Sequence, residues 1–192
     1  MKIVVVLPTY NEAENIANMV HALLDLPITN LTVLVVDDNS PDGTGQIADD
    51  LAAEHPDRVS VMHRAGKQGL GTAYIAGFRE AFRRGADAVL QMDSDFSHDP
   101  KYVPEMVQAL ETCACDIVIG SRYTKGGSLD ETWGWHRKLL SWWANSVYVG
   151  LILHTKAKDA TGGFRLWRAG VLRGMDLSRI RSNGYVFQVE TI

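Results

Sequence analysis

Cysteine is nearly absent from this chain. Cys113 and Cys115 are the two present in 192 residues, too close in sequence for an ordinary stabilising bridge and too few to cage a zinc ion. They read as packing thiols in a reducing compartment. The sequence also lacks an apolar run of about 18 residues that could cross a bilayer, and its N-terminus has no basic region ahead of an apolar segment and small-residue cleavage site. Together these absences imply a cytoplasmic protein without a membrane span. Positive charge is not in surplus either: 19 basic residues face 23 acidic ones, for a net charge of -4. No overall field draws in a nucleic acid, so any anionic partner must be met by local groups. A Gly-x-x-x-x-Gly-Lys phosphate loop is missing, and the six histidines form no His-x-x-x-His pair.

What remains is the profile of one soluble globular domain, with 46% hydrophobic residues and no repeat, low-complexity tract or linker. The opening run KIVVVL, residues 2–7, is β-branched almost throughout, as suits a strand covered on both faces of a parallel sheet. Pro8 is expected to end it. Ile16, Met19, Val20, Leu23 and Leu24 then recur at helical spacing. Strands are predicted over 31–36, 58–62, 86–92 and 116–119, with a helix around Ile47, Ala48 and Leu51 and another over 70–84 that Gly85 closes. Asp99 reads as an N-cap with Pro100 in the first helical position. This alternation predicts an α/β fold, a mostly parallel sheet with helices on both faces, whose ligands bind beyond the carboxyl ends of the strands.

Three of those strand ends carry polar clusters: LPTYNE, VVDDNSPDG and QMDSDFSH. In extended backbone residues i and i+2 point to one side, so Asp93 and Asp95 can present their carboxylates together. Their repulsion is relieved by a divalent cation, which also leaves coordination sites for phosphate oxygens. Oxygen donors alone suit Mg²⁺ or Mn²⁺ rather than zinc; the competing reading is that these aspartates merely shape a turn. Of the second acidic pair, Asp37 and Asp38, one can fasten the turn at Ser40-Pro41-Asp42-Gly43 while the other accepts hydrogen bonds from the base or sugar of a ligand. Gly69, Gly71 and Gly77 do not make the Rossmann fingerprint, because they open a later helix in which Tyr74, Phe78 and Phe82 read as core. Beyond Gly120, residues 124–135 lack periodicity and read as a mobile active-site loop. A helix carrying Leu139, Leu140, Trp143, Val147 and Leu151 is expected next. Trp133, Trp135, Trp142 and Trp143, interleaved with Arg137 and Lys138, suit either core packing or a membrane interface with anionic headgroups. The final GYVFQVETI reads as the first turns of an apolar helix, and the chain as a C-terminally truncated part of a longer protein.

Taken together, LPTYNE, VVDDNSPDGT, GLGTAYIAGF, MDSDFSHDP, GSRY, GGFRLWR and GYVFQVE resemble the dolichol-phosphate (polyprenol-phosphate) mannosyltransferases of the family 2 glycosyltransferases, over nearly the whole chain. The resemblance implies a GT-A fold, Rossmann-like and nucleotide-sugar-binding, in a single domain. It implies metal-dependent, inverting transfer of mannose from GDP-mannose to a polyprenyl (dolichyl) phosphate at the cytoplasmic membrane face. It places Pro8, Tyr10, Glu12, Val36 and Asp38 in the nucleotide pocket and Asp93, Ser94 and Asp95 at the metal and diphosphate, with Ser97 as a further metal position. Arg122 would bind substrate and assist the leaving group, while Arg137 and Ser141 would meet the acceptor phosphate. The family's later basic motif for the donor phosphates does not occur before the chain ends, so a further C-terminal segment or a membrane subunit is an expected partner. A UDP-sugar-dependent transferase acting on polyprenyl phosphate or a glycan, and a non-catalytic nucleotide-sugar binding module, are the alternatives. A phosphatase or receiver fits poorly, since those folds place their acids after the first strand.

Overall fold

The computed structural model describes residues 1–121, 159, 162–180, 182 and 185–191. Strand and helix alternate through its first part: β1 (Ile3–Thr9), α1 (Ile16–Leu24), β2 (Leu31–Asp37), α2 (Thr44–Glu54), β3 (Val59–His63), α3 (Leu70–Arg83) and β4 (Ala88–Gln91). A 3₁₀ turn (Pro100–Tyr102) leads into α4 (Val103–Thr112), and β5 (Ile117–Ile119) follows. Further on come β6 (Arg165–Arg168), α5 (Ala169–Gly174) and α6 (Tyr185–Glu190). The expected mobile loop, the helix after it and the four tryptophans of residues 133–143 lie outside the described residues.

Every residue of β1 is buried, and the period of two along a strand explains how. Ile3, Val5 and Leu7 join one apolar cluster with Ile16, Met19, Leu23, Val33, Val35 and Leu90. Val4 and Val6 join the opposite cluster with Leu34, Val36, Tyr74, Phe78, Val89 and Trp167. Helices α1, α2 and α4 therefore cover one face of the sheet, and α3, α5 and α6 the other. The apolar stripe read for α1 is its buried face: Ile16, Met19, Val20, Leu23 and Leu24.

The sheet has six strands in the order β3-β2-β1-β4-β6-β5. The first four are mutually parallel, but β6 pairs antiparallel with both β4 and β5. β5 therefore does not sit beside β4, as simple alternation would place it. The short segment RLWR inserts between them, and four residues with arginine at each end carry too little apolar pattern to announce a central strand. Pro8 also departs from expectation, lying inside β1 opposite Val36. The last β1–β4 pair is Val6 with Gln91, so Pro8 lies where β1 has a partner on one side only and its missing N–H is tolerated.

The two cysteines are a second correction. Cys113 and Cys115 form a disulfide. The chain leaves α4 at Cys113 in extended backbone and bends before β5, leaving the two Cα atoms 5.2 Å apart, within reach of a bridge. The two are therefore not the free packing thiols expected from the sequence. The same turn is held from β6, where Arg168 donates to the carbonyls of Cys115 (2.9 Å) and Leu110 (2.6 Å).

Helix α3 lies unusually close to the sheet because Gly77 faces it. A β-carbon there would meet Val6 Cγ1 at 2.3 Å and Val36 Cγ2 at 3.2 Å, contacts that neither buried valine can relieve by rotating into open space. Gly77→Ala is therefore expected to destabilise the fold by about 1–3 kcal/mol through overpacking. Urea unfolding measures it, and a loss below about 0.5 kcal/mol would show that α3 moves away freely.

Candidate active site

The register of the parallel strands brings their carboxyl ends to one edge. Thr9 at the end of β1 lies opposite Asp37 at the end of β2, while β4 stops at Gln91 beside Val6 and sends residues 92–98 across the same edge. The loops that leave these strands are stitched together by side chains. Asn11, Glu12 and Ala13 donate their backbone N–H groups to Ser40 Oγ (3.1 Å), Thr44 Oγ1 (2.9 Å) and Asp42 Oδ2 (3.0 Å). Asn11 and Asn39 both take positive φ, 62° and 57°, a conformation asparagine tolerates better than most residues. The Thr44 hydroxyl, then the Ala13 and Thr44 amides, hold Asp42 below its ordinary pKa.

The two acids at the end of β2 have different partners. Asp37 accepts from the Ser40 hydroxyl (2.6 Å), the Ser40 amide (3.1 Å) and Thr9 Oγ1 (3.1 Å), and so fastens the turn. Asp38 opens onto the cleft. It pairs with Arg64 at 2.8 Å, a contact whose N–H is not aligned on the oxygen, and weakly accepts the Gln68 amide at 3.4 Å. Burial pushes the Asp38 pKa up, and the Arg64 charge offsets only part of that rise. Arg64 is itself anchored by Thr72 Oγ1 (2.7 Å) and Gln68 Oε1 (3.2 Å).

Between these loops lies a cleft of about 210 Å³. Of the residues assigned to the nucleotide and diphosphate, Pro8, Tyr10, Glu12, Asp38, Asp93, Ser94 and Asp95 all line it. Val36 does not; it is fully buried in the core between β2 and α3. Burial alternates along the segment after β4, with Met92 and Ser94 turned inward and Asp93 and Asp95 less covered, which sets the two acids on the cleft side. Asp93 Oδ1 accepts the Tyr74 hydroxyl at 2.5 Å, and Asp95 Oδ1 accepts the Ser97 amide at 2.9 Å. That second bond closes a tight turn through Phe96, whose φ of 60° is rare for a bulky side chain. Ser97 is exposed. Arg122, Arg137 and Ser141 lie outside the described residues.

Several lining groups were not singled out from sequence. Lys67 sits with its ammonium 4.1 Å from the centre of the Tyr10 ring and faces the cleft with Thr9, Leu70 and Ala73. Gly163 packs against the acids: a β-carbon there would lie 3.3 Å from Asp93 Oδ2 and 3.3 Å from the His98 ring. That ring stacks on Phe164 at 5.2 Å. Behind them Arg165 is fully buried, donating to Gly162 O (2.8 Å), Gln188 O (2.7 Å) and Thr191 Oγ1 (3.0 Å). Desolvation lowers its pKa to about 10 against the support of Asp159, which is also fully buried.

The donor set fits a hard divalent cation. Asp93 and Asp95 supply carboxylate oxygens only, and among the described residues no hydrogen bond engages Oδ2 of either. Two protein ligands leave most coordination positions to water and phosphate, as Mg²⁺ and Mn²⁺ accept. The described His/Glu cluster of His21, Glu54 and His55 stands on the last turn of α1 and the end of α2, away from this cleft.

The comparisons with known proteins agree with this architecture. The Glycosyl transferase family 2 model matches residues 4–175, and the chain belongs to that family of glycosyltransferases. It is 46% identical over 190 residues to the undecaprenyl-phosphate mannosyltransferase of Micrococcus luteus, covering 99% of this chain and 76% of that protein. It is 45% identical to the polyprenol monophosphomannose synthase of Mycolicibacterium smegmatis, covering 97% of this chain and 69% of the relative. Against the dolichol-phosphate mannosyltransferase of Pyrococcus furiosus identity is 39%, over 94% of this chain and 50% of that protein. Among solved structures, the mannosyltransferase PcManGT of Pyrobaculum calidifontis in complex with GDP-Man and Mn²⁺ superposes with a TM-score of 0.62 at 20% identity, over 91% of this chain and 46% of that one. A glucosyl-3-phosphoglycerate synthase from Mycobacterium tuberculosis, solved with Mn²⁺ and UDP, gives 0.63 at 24% identity, over 99% of this chain and 63% of that one. The fold is GT-A.

The Asp38–Arg64 pair yields a pH-dependent test. A carboxylate whose pKa is raised on folding contributes most to stability below its unfolded value and loses that contribution as pH climbs through the folded value. Arg64→Met removes the cation and raises the Asp38 pKa further. The variant should lose about 3 kcal/mol at about pH 7.5 and clearly less at about pH 4. Equal losses at both pH values in chemical denaturation would show that the Arg64 charge does not stabilise Asp38.

Proposed function

We propose that the chain moves mannose from GDP-mannose to a polyprenyl phosphate at the cytoplasmic membrane face, as an inverting transferase that depends on a divalent cation. The observation that carries this reading is the convergence of Asp38, Asp93 and Asp95 on one cleft at the carboxyl ends of β1, β2 and β4, in a chain whose curated relatives are polyprenyl-phosphate mannosyltransferases. The complex of PcManGT, a protein of the same fold, with GDP-Man and Mn²⁺ supports this choice of donor and ion. Among the described residues no helix is long and apolar enough to cross a membrane, and a lipid-linked acceptor calls for peripheral attachment.

In this reading Asp38, with Tyr10 and Lys67 beside it, holds the nucleoside. Lys67 has a second use there, because its charge stands at the rim of a cleft that must receive a diphosphate. Asp93 and Asp95 hold the cation, with Ser97 as a further position. When bound, a divalent cation supplies Lewis-acid stabilisation of charge developing on the departing diphosphate. Arg122 adds a charge-assisted hydrogen bond to the leaving group, and Arg137 and Ser141 orient the acceptor. The acceptor is already largely anionic at neutral pH, with a second phosphate pKa of about 6, so no side chain has to act as a strong general base. Attack from the face opposite the leaving group inverts the anomeric centre and yields a β-linked mannosyl phosphate.

Calorimetry with GDP-mannose, with and without Mn²⁺, tests the donor and the metal together. Binding should require the ion, exceed that of UDP- and dTDP-sugars, and fall by more than about 100-fold, or about 2.8 kcal/mol, in Asp95→Ala. Retained binding with an unchanged manganese response would remove the assignment, and preference for a UDP-sugar would move the protein to the alternative donor class. Product analysis by NMR supplies a second check: an α-linked mannosyl phosphate would contradict single displacement.

A further inference from the structure

Tyr74 has the spacing of a core residue, and its ring is one. It is completely buried on the inner face of α3, stacked on Phe78 at 5.9 Å and on Phe187 of α6 at 5.9 Å with the rings only 6° from parallel. A core ring needs no hydroxyl, and phenylalanine would satisfy both stacks. The hydroxyl instead reaches from this apolar sandwich to Asp93 Oδ1 at 2.5 Å, and it is the single described hydrogen-bond donor to that carboxylate. With Oδ1 engaged from below, the carboxylate cannot rotate freely about its last torsion, and Oδ2 is left beside Gly163, whose lack of a side chain keeps the space around that oxygen open.

The ring is braced from the far end of the chain. Gly71, one turn earlier on α3, admits Phe187 so closely that a β-carbon at 71 would lie 2.9 Å from its ring. The next residue of α6, Gln188, accepts a hydrogen bond from Gln91 at 2.6 Å, two residues before Asp93. Arg165 holds the backbone of Gln188 in turn. Helix α6 therefore steadies Asp93 twice, once through the Phe187–Tyr74 stack and once through β4.

We infer that Tyr74 is a positioning residue for the cation: its hydroxyl presets the Asp93 carboxylate so that the metal and donor diphosphate bind without first ordering that side chain. This rests on the function proposed above, in which Asp93 is a metal ligand. A partner that orients a metal ligand contributes about 10- to 100-fold to affinity, whereas a ring that merely fills space contributes nothing through its oxygen.

Mn²⁺ titration in the presence of GDP, read by the EPR signal of the free ion, separates these cases. Tyr74→Phe should weaken Mn²⁺ binding about tenfold with an unchanged near-UV circular dichroism spectrum, and in turnover assays it should raise the Mn²⁺ concentration needed for half-maximal rate while kcat at saturating Mn²⁺ stays close to that of the unaltered chain. Affinity within twofold of the unaltered chain, in a folded variant, would overturn the inference. If Tyr74→Phe does not fold, Phe187→Leu serves: it keeps the hydroxyl but removes one ring face, and should weaken Mn²⁺ binding several-fold, with unchanged affinity overturning the inference. The functional reading has its own control, because the unaltered chain must bind Mn²⁺ with GDP and lose it in Asp93→Asn. Failure of that control strikes the proposed function, whereas success there with a silent Tyr74→Phe strikes only the role of the hydroxyl.

Discussion

Strand β1 is paired on both sides and covered on both faces, and the position of every group in the cleft follows from that confinement. Its register with β2 sets Thr9 opposite Asp37, and its register with β4 stops that strand at Gln91. Three loops therefore leave the sheet at one edge. A shift of one residue in either pairing would exchange the two faces of the strand, turning Val5 and Leu7 toward α3 and removing the apolar match on both sides of the sheet. Because the core tolerates no such shift, the loops that carry Asp38, Asp93 and Asp95 have fixed origins even though their tips are built from turns.

On this rigid edge the charges are arranged unequally. Asp37 is consumed by the turn it fastens, and Asp38 is tied to Arg64 in a half-aligned pair. Asp93 and Asp95 each keep one oxygen outside the local hydrogen bonds of the described residues. Two such acids at one cleft repel one another and lack a described cationic partner, while Lys67 lines the same cleft against Tyr10. In the proposed function this cleft receives one small cation together with the diphosphate of the donor. The buried Arg165 works at one remove. Its cost of desolvation is met by three hydrogen bonds and Asp159, and what it holds are Gly162 and Gln188, the neighbours of Gly163 beside Asp93 and of Gln91 at the end of β4.

Much of this was legible in the sequence because it rests on period and position. The near-continuous β-branched run of KIVVVL, the helical stripe from Ile16 to Leu24 and the Asp99–Pro100 start all appear where pattern places them, and the acids at strand ends are where an α/β fold puts ligand groups. The misses have physical causes. Strand β6 is four residues long and flanked by arginines, so its central place in the sheet depends on non-local pairing that no local pattern encodes. Pro8 was read as a strand breaker because the shortness of β4, which leaves it unpaired on one side, is also non-local. The Cys113–Cys115 bridge was dismissed on sequence separation alone, although the bend after α4 brings the two residues within reach. Tyr74 was counted as core from its spacing, which describes its ring and is blind to its hydroxyl. Val36 went the other way: it belongs to a recognised motif, yet its side chain faces the core.

The central claim is that Asp93 and Asp95 share a divalent cation with the diphosphate of an activated sugar. Crystals grown with GDP-mannose and Mn²⁺ and measured at the manganese absorption edge test it most directly. The account expects an anomalous peak bonded to oxygens of both aspartates and of the diphosphate. Manganese found only at His21, Glu54 and His55, with Asp95 still closed on the Ser97 amide and the nucleotide bound without an ion, would contradict it.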